Sequence, residues 1–253
     1  MYSKEDLINR IKKLNIKPTD TVIIHTSMKS IGNVIGGADT VLDAFIEYLK
    51  DGLFLVPTHT YKETRKTLIY DVKDSIPCVG IIPSLAIKRK QGKRSLHPTH
   101  SMMAFGKNAE EYIKGEETKQ SPTPKNGCWA RLADVDAKIL LIGVGQDKNT
   151  FIHSIDEEYN KHRLSKEILP IKTIIGGKTI NTPCRKFNHT KEDLSVSHNF
   201  NKFEKIFYEK GAIEYGKFGD AKVQVCSAKK IKEILEELIK ENKDKDIFID
   251  DRI

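Results

Sequence analysis

Cysteine is scarce: Cys78, Cys128, Cys184 and Cys226 lie far apart in 253 residues and form no Cys-x-x-Cys pair. That spacing suggests neither a zinc knuckle nor a disulfide framework, and a reduced, cytoplasmic setting is expected. Long apolar runs are missing: none approaches the roughly 20 residues needed to span a bilayer. Residues 1–7 lack the apolar core of a signal peptide. No internal repeat and no linker divides the chain. The loop at residues 26–32 is rich in Ser and Gly, yet no Gly-Lys-Ser/Thr closes it and it is not Gly-x-Gly-x-x-Gly, so a Walker loop and the dinucleotide fingerprint are both excluded. Aromatic residues are not interleaved with the basic ones in the way that base stacking requires.

What the sequence has in quantity is lysine, and the formal net charge is +8. Most of the excess is spread over helical faces, as in Lys229-Lys230-Ile231-Lys232, with acids nearby. This reads as a solvated surface and not as a nucleic-acid footprint, although a positive surface favours anionic ligands. With 38% hydrophobic and 31% charged residues, the composition is that of a soluble domain with a full core.

Apolar periodicity orders the chain. Ser3 as N-cap and Asp6 three residues on open a helix over residues 3–14, with Leu7, Ile8, Ile11 and Leu14 as its apolar stripe. The β-branched run at 21–25 predicts a buried strand, followed by a flexible polar loop at 26–32 and a helix over 36–50. Residues 53–57 predict a second strand, and residues 61–77 a long functional loop. Further helices are expected at 80–89, 107–113, 128–132, 201–210 and 228–240, and strands at 102–105, 138–144 and 221–225. Alternating strand and helix predicts the α/β class in one domain, residues 1–253: a three-layer α/β/α fold around a mostly parallel or mixed sheet. Residues 164–198 form a small β-rich subdomain in this reading.

Three stretches carry chemistry. After the apolar run 139–144, a helix start at Thr150 presents His153 and Asp156, three residues apart and so on one helical face. A carboxylate beside an imidazole fixes its tautomer, as for a general base, and the position just beyond a strand is where α/β proteins place chemistry. The loop after the first strand offers N–H groups and hydroxyls suited to an anion. Residues 94–101, Arg94-Ser95-Leu96-His97-Pro98-Thr99-His100-Ser101, combine an anion clamp with two imidazoles. A metal-dependent hydrolase using His97, His100 and His153 is one alternative, although Pro98 argues against a helix presenting both of the first two rings.

Taken in order, several segments resemble the aminoglycoside 3-N-acetyltransferase family, acetyl-CoA-dependent enzymes distinct from the GNAT fold. These are His25-Thr26-Ser27-Met28-Lys29-Ser30-Ile31-Gly32 with Gly36-Gly37, Val56-Pro57-Thr58-His59-Thr60, Tyr70-Asp71-Val72, residues 94–101, and Leu141-Ile142-Gly143-Val144 followed by Asn149-Thr150-Phe151-Ile152-His153. The resemblance runs over nearly the whole chain.

It implies acetyl-CoA along Thr26, Ser27, Met28, Lys29, Ser30 and Gly32, with Arg94 and Ser95 close by. It implies His153 as catalytic base with Asp156, Asp71 facing the substrate amine, and Thr58, His59, Tyr61 and Glu157 on the substrate side, with no metal. The family's Glu three residues after the histidine is replaced by Asp156, and its Ser-Pro before the aromatic residue by Gly127-Cys128 before Trp129. The acceptor is expected to be an aminoglycoside or other amino sugar. A net charge of +8 suits a nucleotide-linked amino sugar, as in surface-glycan biosynthesis, better than a polycation. Neither nucleic acid nor membrane is an expected partner, and a homodimer stays open.

Overall fold

Apolar and β-branched runs with both faces buried make the central strands, and amphipathic helices cover them. The computed structural model describes residues 1–188 and 195–250. Among these, the strands in chain order are β1 (Thr21–Thr26), β2 (Leu53–Pro57), β3 (Ile69–Asp71), β4 (Lys93–Arg94), β5 (Met102–Gly106), β6 (Lys138–Ile142), β7 (Lys172–Ile175), β8 (Lys178–Asn181), β9 (Ile213–Phe218) and β10 (Ala221–Ser227). The helices are α1 (Lys4–Lys13), α2 (Met28–Ile31), α3 (Gly37–Tyr48), α4 (Tyr61–Thr67), α5 (Ile81–Ala86), α6 (Ala109–Tyr112), α7 (Cys128–Asp134), α8 (Thr150–Tyr159), α9 (Glu204–Glu209) and α10 (Ala228–Glu241).

Seven strands form one mixed sheet in the order β4-β5-β2-β1-β6-β10-β9. Its centre is parallel: β1 pairs with β2 and with β6, and Ile23 lies opposite Leu55 on one side and Ile139 on the other. Strands β5 and β10 flank this centre antiparallel. Side-chain alternation sends Val22, Ile24, Phe54 and Leu140 to one face, where they pack with Leu7 and Ile11 of α1 and Val41 and Phe45 of α3. Ile23, Leu55, Ile139 and Leu141 face the other way, against Trp129 of α7, Phe151 and Ile152 of α8, and Ile231 and Leu235 of α10. The result is the expected three-layer α/β/α fold.

The Ser3 cap forms as its sequence predicts. Ser3 Oγ accepts from the Asp6 N–H at 3.1 Å, and the Asp6 carboxylate accepts from the Ser3 N–H at 2.9 Å. Other expectations give way. Residues 61–77 are not a loop, since they contain α4 and β3, and the stretch 26–32 contains the helical turn α2. Residues 201–210 begin within a 3-10 segment, Val196–Phe203, that passes directly into α9. Strand β9, which the sequence reading lacked, is a sheet edge whose middle residues are exposed, so it carries little apolar signal.

The expected subdomain at 164–198 holds the β7–β8 hairpin, but the three-stranded sheet is completed by β3, parallel to β7 and about 100 residues earlier. Residues 189–194 of that stretch lie outside the described residues. No described helix is long and apolar enough to cross a membrane.

Candidate active site

Because β1, β2 and β6 are parallel, their carboxyl ends open on one edge of the sheet. The chain leaves β1 toward β2 on one side and later returns as β6 on the other. That reversal opens a crevice beyond the carboxyl end of β1, the general location of ligands in α/β sheets. Each strand delivers a histidine there: His25 within β1, His59 just after β2, and His153 on α8, which follows β6. His100, just before β5, joins them. All four line a cavity of about 550 Å³, within the usual range for a small-molecule site.

The rings pack closely. The His59 and His100 centroids are 4.7 Å apart, and His59 meets the Trp129 ring edge-on at 5.2 Å. Trp129 is held beneath them by its indole N–H, which donates to the His100 carbonyl at 2.9 Å. His153 stacks on Phe187 at 4.9 Å and meets Phe200 edge-on at the same distance. Burial lowers the His25 pKa to about 4 and that of His153 to about 3, and it takes His59 and His100 well below the ordinary histidine value. All four imidazoles are therefore neutral near pH 7. His25 Nε2, His59 Nε2, His153 Nδ1 and Asn149 Oδ1 are buried without a hydrogen-bond partner.

The expected His153–Asp156 pairing does not form. Asp156 is fully buried and accepts from Arg163 Nε at 2.9 and 2.7 Å and from Asn160 Nδ2 at 2.8 Å. Arg163 also donates to Asp246. The 3-10 turn Lys161–Arg163 brings a guanidinium back to this carboxylate, and a buried charge takes the cationic partner over a neutral ring. Burial still raises the Asp156 pKa to about 6.

Glu157 is also buried and turned away from the cavity. It accepts from the Ser121 hydroxyl, the Thr123 N–H at 2.8 Å and Thr123 Oγ1 at 3.0 Å, and so pins residues 121–123.

The residues expected around the cofactor divide. Thr26 lines the cavity; Ser27 and Ser30 share a hydroxyl bond of 3.0 Å at α2. Met28 packs on the α1–α3 side of the core, and Lys29 is exposed. Gly32 holds φ 85° and ψ −162°, a region nearly reserved for glycine, and a Cβ there would sit 2.0 Å from the Asp220 carboxylate.

Arg94 and Ser95, expected beside the cofactor, are instead tied into the fold and do not line the cavity. Arg94 donates to Thr58 Oγ1, to the Thr58 carbonyl, and to the Val72 and Ser75 carbonyls, with its guanidinium 5.1 Å from the Tyr70 ring centroid. Ser95 Oγ accepts the Met102 N–H at 3.0 Å. Thr58 is enclosed by Arg94 and Ser101 and is fully buried. Asp71 also lies off the cavity wall, its Oδ1 accepting from the Lys73 and Asp74 N–H groups of its own turn at 2.8 and 3.0 Å.

The metal alternative fails on geometry. His97 Nε2 bonds the Ser121 carbonyl at 2.9 Å, and Nδ1 accepts from the Thr99 and His100 N–H groups, so both nitrogens are engaged. Among the described residues no three His, Cys, Asp or Glu side chains are placed to hold a metal ion.

A family model for aminoglycoside 3-N-acetyltransferase matches residues 23–240. The chain belongs to this family. As a member of the aminoglycoside 3-N-acetyltransferase family it is an acyltransferase of the N-acetyl class. One relative is the SPbeta prophage-derived aminoglycoside N(3')-acetyltransferase-like protein YokD of Bacillus subtilis, 24% identical over 97% of this chain and 95% of its own. Aminoglycoside N(3)-acetyltransferase IV of Salmonella sp is 26% identical over 60% of this chain and 58% of that enzyme.

Among solved structures, AAC-VIa bound to sisomicin superposes with a TM-score of 0.81 at 19% identity, covering 95% of this chain and 98% of that one. AAC-IIIb in a binary complex with CoASH gives 0.79 at 18%, covering 95% and 97%. These structures share the fold.

For this member of the family, sequence reasoning missed His25, Arg65, Cys78, Asn149 and Phe187 as cavity residues and gave His100 only a metal role. A signal for His25 was available: it closes an apolar β-branched run, at the strand end where such sheets bind ligands. Arg65 and Phe187 carry none, because each reaches the cavity wall from a segment outside the strand ends around it.

Proposed function

We propose that the chain transfers an acetyl group from acetyl-CoA to the amino group of an amino sugar, with His153 as general base. The observation that carries this reading is His153 itself, a neutral imidazole in the cavity wall, clamped between Phe187 and Phe200 and without a carboxylate on Nδ1. Acetyl-CoA supplies the activated thioester; the CoASH-bound AAC-IIIb supports this choice of donor.

The chain's residues then do three things. The Thr26–Ser27 turn and Ser30 offer hydroxyls at the carboxyl end of β1, and the loop 26–32 is the proposed seat of the donor. The orphaned nitrogens of His25 and His59 hydrogen-bond acceptor hydroxyls. His153 removes the proton from the attacking nitrogen, the thioester C–S bond breaks, and the CoA thiolate takes up that proton and leaves as the free thiol. That proton becomes acidic as the C–N bond forms, so a weak, neutral base suffices, and its contribution is about 100- to 10,000-fold.

The test is thiol release from acetyl-CoA with His153→Ala and His153→Gln, against sisomicin and a panel of amino sugars. The expected result is a loss of at least about 100-fold in kcat, with CoA affinity held within twofold by calorimetry. Turnover near wild type overturns the assignment.

A second acceptor class has its own support. The described cavity wall contains one carboxylate, Asp147, and it is paired with Lys148 at 2.6 Å, which leaves little negative charge for a polycation. An acceptor bearing an anion, such as a nucleotide-linked amino sugar, fits that wall.

A further inference from the structure

Arg65 on α4 lies in the wall of the same cavity. Its Nε is buried without a hydrogen-bond partner, and its guanidinium stands 5.1 Å from the Tyr61 ring centroid. Among the described residues no carboxylate pairs with it. The neighbours that act on its charge are Cys184, Tyr61 and Cys78, while burial weakens the cation.

The arginines that hold the fold together look different. Arg163 has Asp156 and Asp246, Arg89 has Asp39 and Asp43, and Arg94 spends its donors on three backbone carbonyls and a hydroxyl. Nor does the rest of the wall supply a counter-charge. His59 and His100 are neutral, and Asp147 is matched by Lys148. Arg65 is therefore an uncompensated cation facing a ligand cavity, and a planar fork of donors of this kind matches phosphate or carboxylate oxygens in pairs.

We propose that Arg65 seats an anionic group of the acceptor, so that the preferred substrate is an amine carrying a phosphate or other acidic group and not a polycationic aminoglycoside. The inference rests on the acetyl-transfer reading above and specifies its acceptor. Arg65 lies beyond His153 along a series of ring contacts: His153 on Phe187, Phe187 against His100 at 6.1 Å, His100 stacked on Tyr61 at 5.7 Å, and Tyr61 under Arg65. An acceptor that spans this wall presents its amine to His153 at one end and its anion to Arg65 at the other.

The experiment titrates the full chain, saturated with CoA so that the donor's own phosphates are already seated. The probes are uridine diphosphate glucosamine, glucosamine 6-phosphate, glucosamine and sisomicin, and the proteins are wild type, Arg65→Gln and Arg65→Lys. Wild type is expected to bind at least one anionic probe about tenfold or more tightly than glucosamine, as one charge-assisted contact provides. Arg65→Gln removes that preference and Arg65→Lys keeps part of it, while the affinity for CoA stays within twofold and that for sisomicin does not fall.

Three results overturn the proposal: no preference of wild type for either anionic probe, a loss in Arg65→Gln that falls on CoA, or an equal loss for all four probes. Failure of the acetyl-transfer reading shows separately, as no thiol release from acetyl-CoA by wild type with any acceptor, whatever the binding pattern at Arg65.

Discussion

Removing the Arg163 guanidinium gives the sharpest test of how α8 is held. In Arg163→Leu, Asp156 stays fully buried and retains only Asn160 as a polar partner. Breaking a buried ion pair from one side costs about 3–5 kcal/mol, because the remaining charge is left uncompensated.

The loss depends on pH. Burial has already raised Asp156 from 3.8 to about 6 in the folded chain, a shift that corresponds to about 3 kcal/mol. A folded pKa above the unfolded one means that the folded chain holds its proton longer. The associated stability is complete below pH 3.8 and is lost as pH rises through 6. Deleting Arg163 removes the charge and the hydrogen bonds that pull this pKa down, so it climbs further and the loss extends to higher pH.

The expected outcome is a destabilisation of about 3–5 kcal/mol at pH 8, near 10 °C in Tm for a chain of this size, and a smaller one at pH 5. Urea unfolding followed by the fluorescence of Trp129, the single and buried tryptophan, reads both values. The double variant Asp156→Leu with Arg163→Leu should recover part of the loss, since apolar replacement of a buried pair is often nearly neutral. A loss below about 1 kcal/mol at pH 8, or equal losses at both pH values, would refute the reasoning.

Two further outcomes follow from the site. The four cavity histidines titrate in the opposite direction to Asp156. Their folded pKa values lie below the ordinary 6.5, so their contribution is present above pH 6.5 and is lost as pH falls through it, by up to about 1.4 kcal/mol per pH unit for each ring; stability measured from pH 7 to pH 4 should fall steeply, and a flat profile would contradict the buried neutral assignment. Gly32→Ala forces a Cβ onto the Asp220 carboxylate, which the Tyr2 hydroxyl holds at 2.6 Å, in a backbone region that costs an L-residue about 1–3 kcal/mol. Unfolding should show that loss, and the KM for acetyl-CoA should rise if the loop 26–32 seats the donor; an unchanged Tm would show that the loop yields freely.

Much of the framework was legible because it is local. The run at 138–142 carries its own burial on both faces, and the Ser3–Asp6 box closes within four residues. The helix at 228–241 repeats its apolar stripe at each turn. These are near-neighbour effects that a one-dimensional pattern records. Strand β3 was not legible, since three residues become a strand only when β7 lies beside them.

The site divides along the same line. The sequence by itself determined that central strands run near residues 21–26, 53–57 and 138–142, with His25 near the end of the first and His59 and His153 after the second and third, because backbone periodicity is written residue by residue. It did not determine whom Asp156 would choose. Spacing offered His153 three residues away, but a buried carboxylate is governed by the nearest cation in space, and Arg163 reaches it only after the chain has turned back. Tertiary structure alone also left Arg65 without a carboxylate among the described residues, since a missing partner depends on what packs around a side chain and on no local pattern.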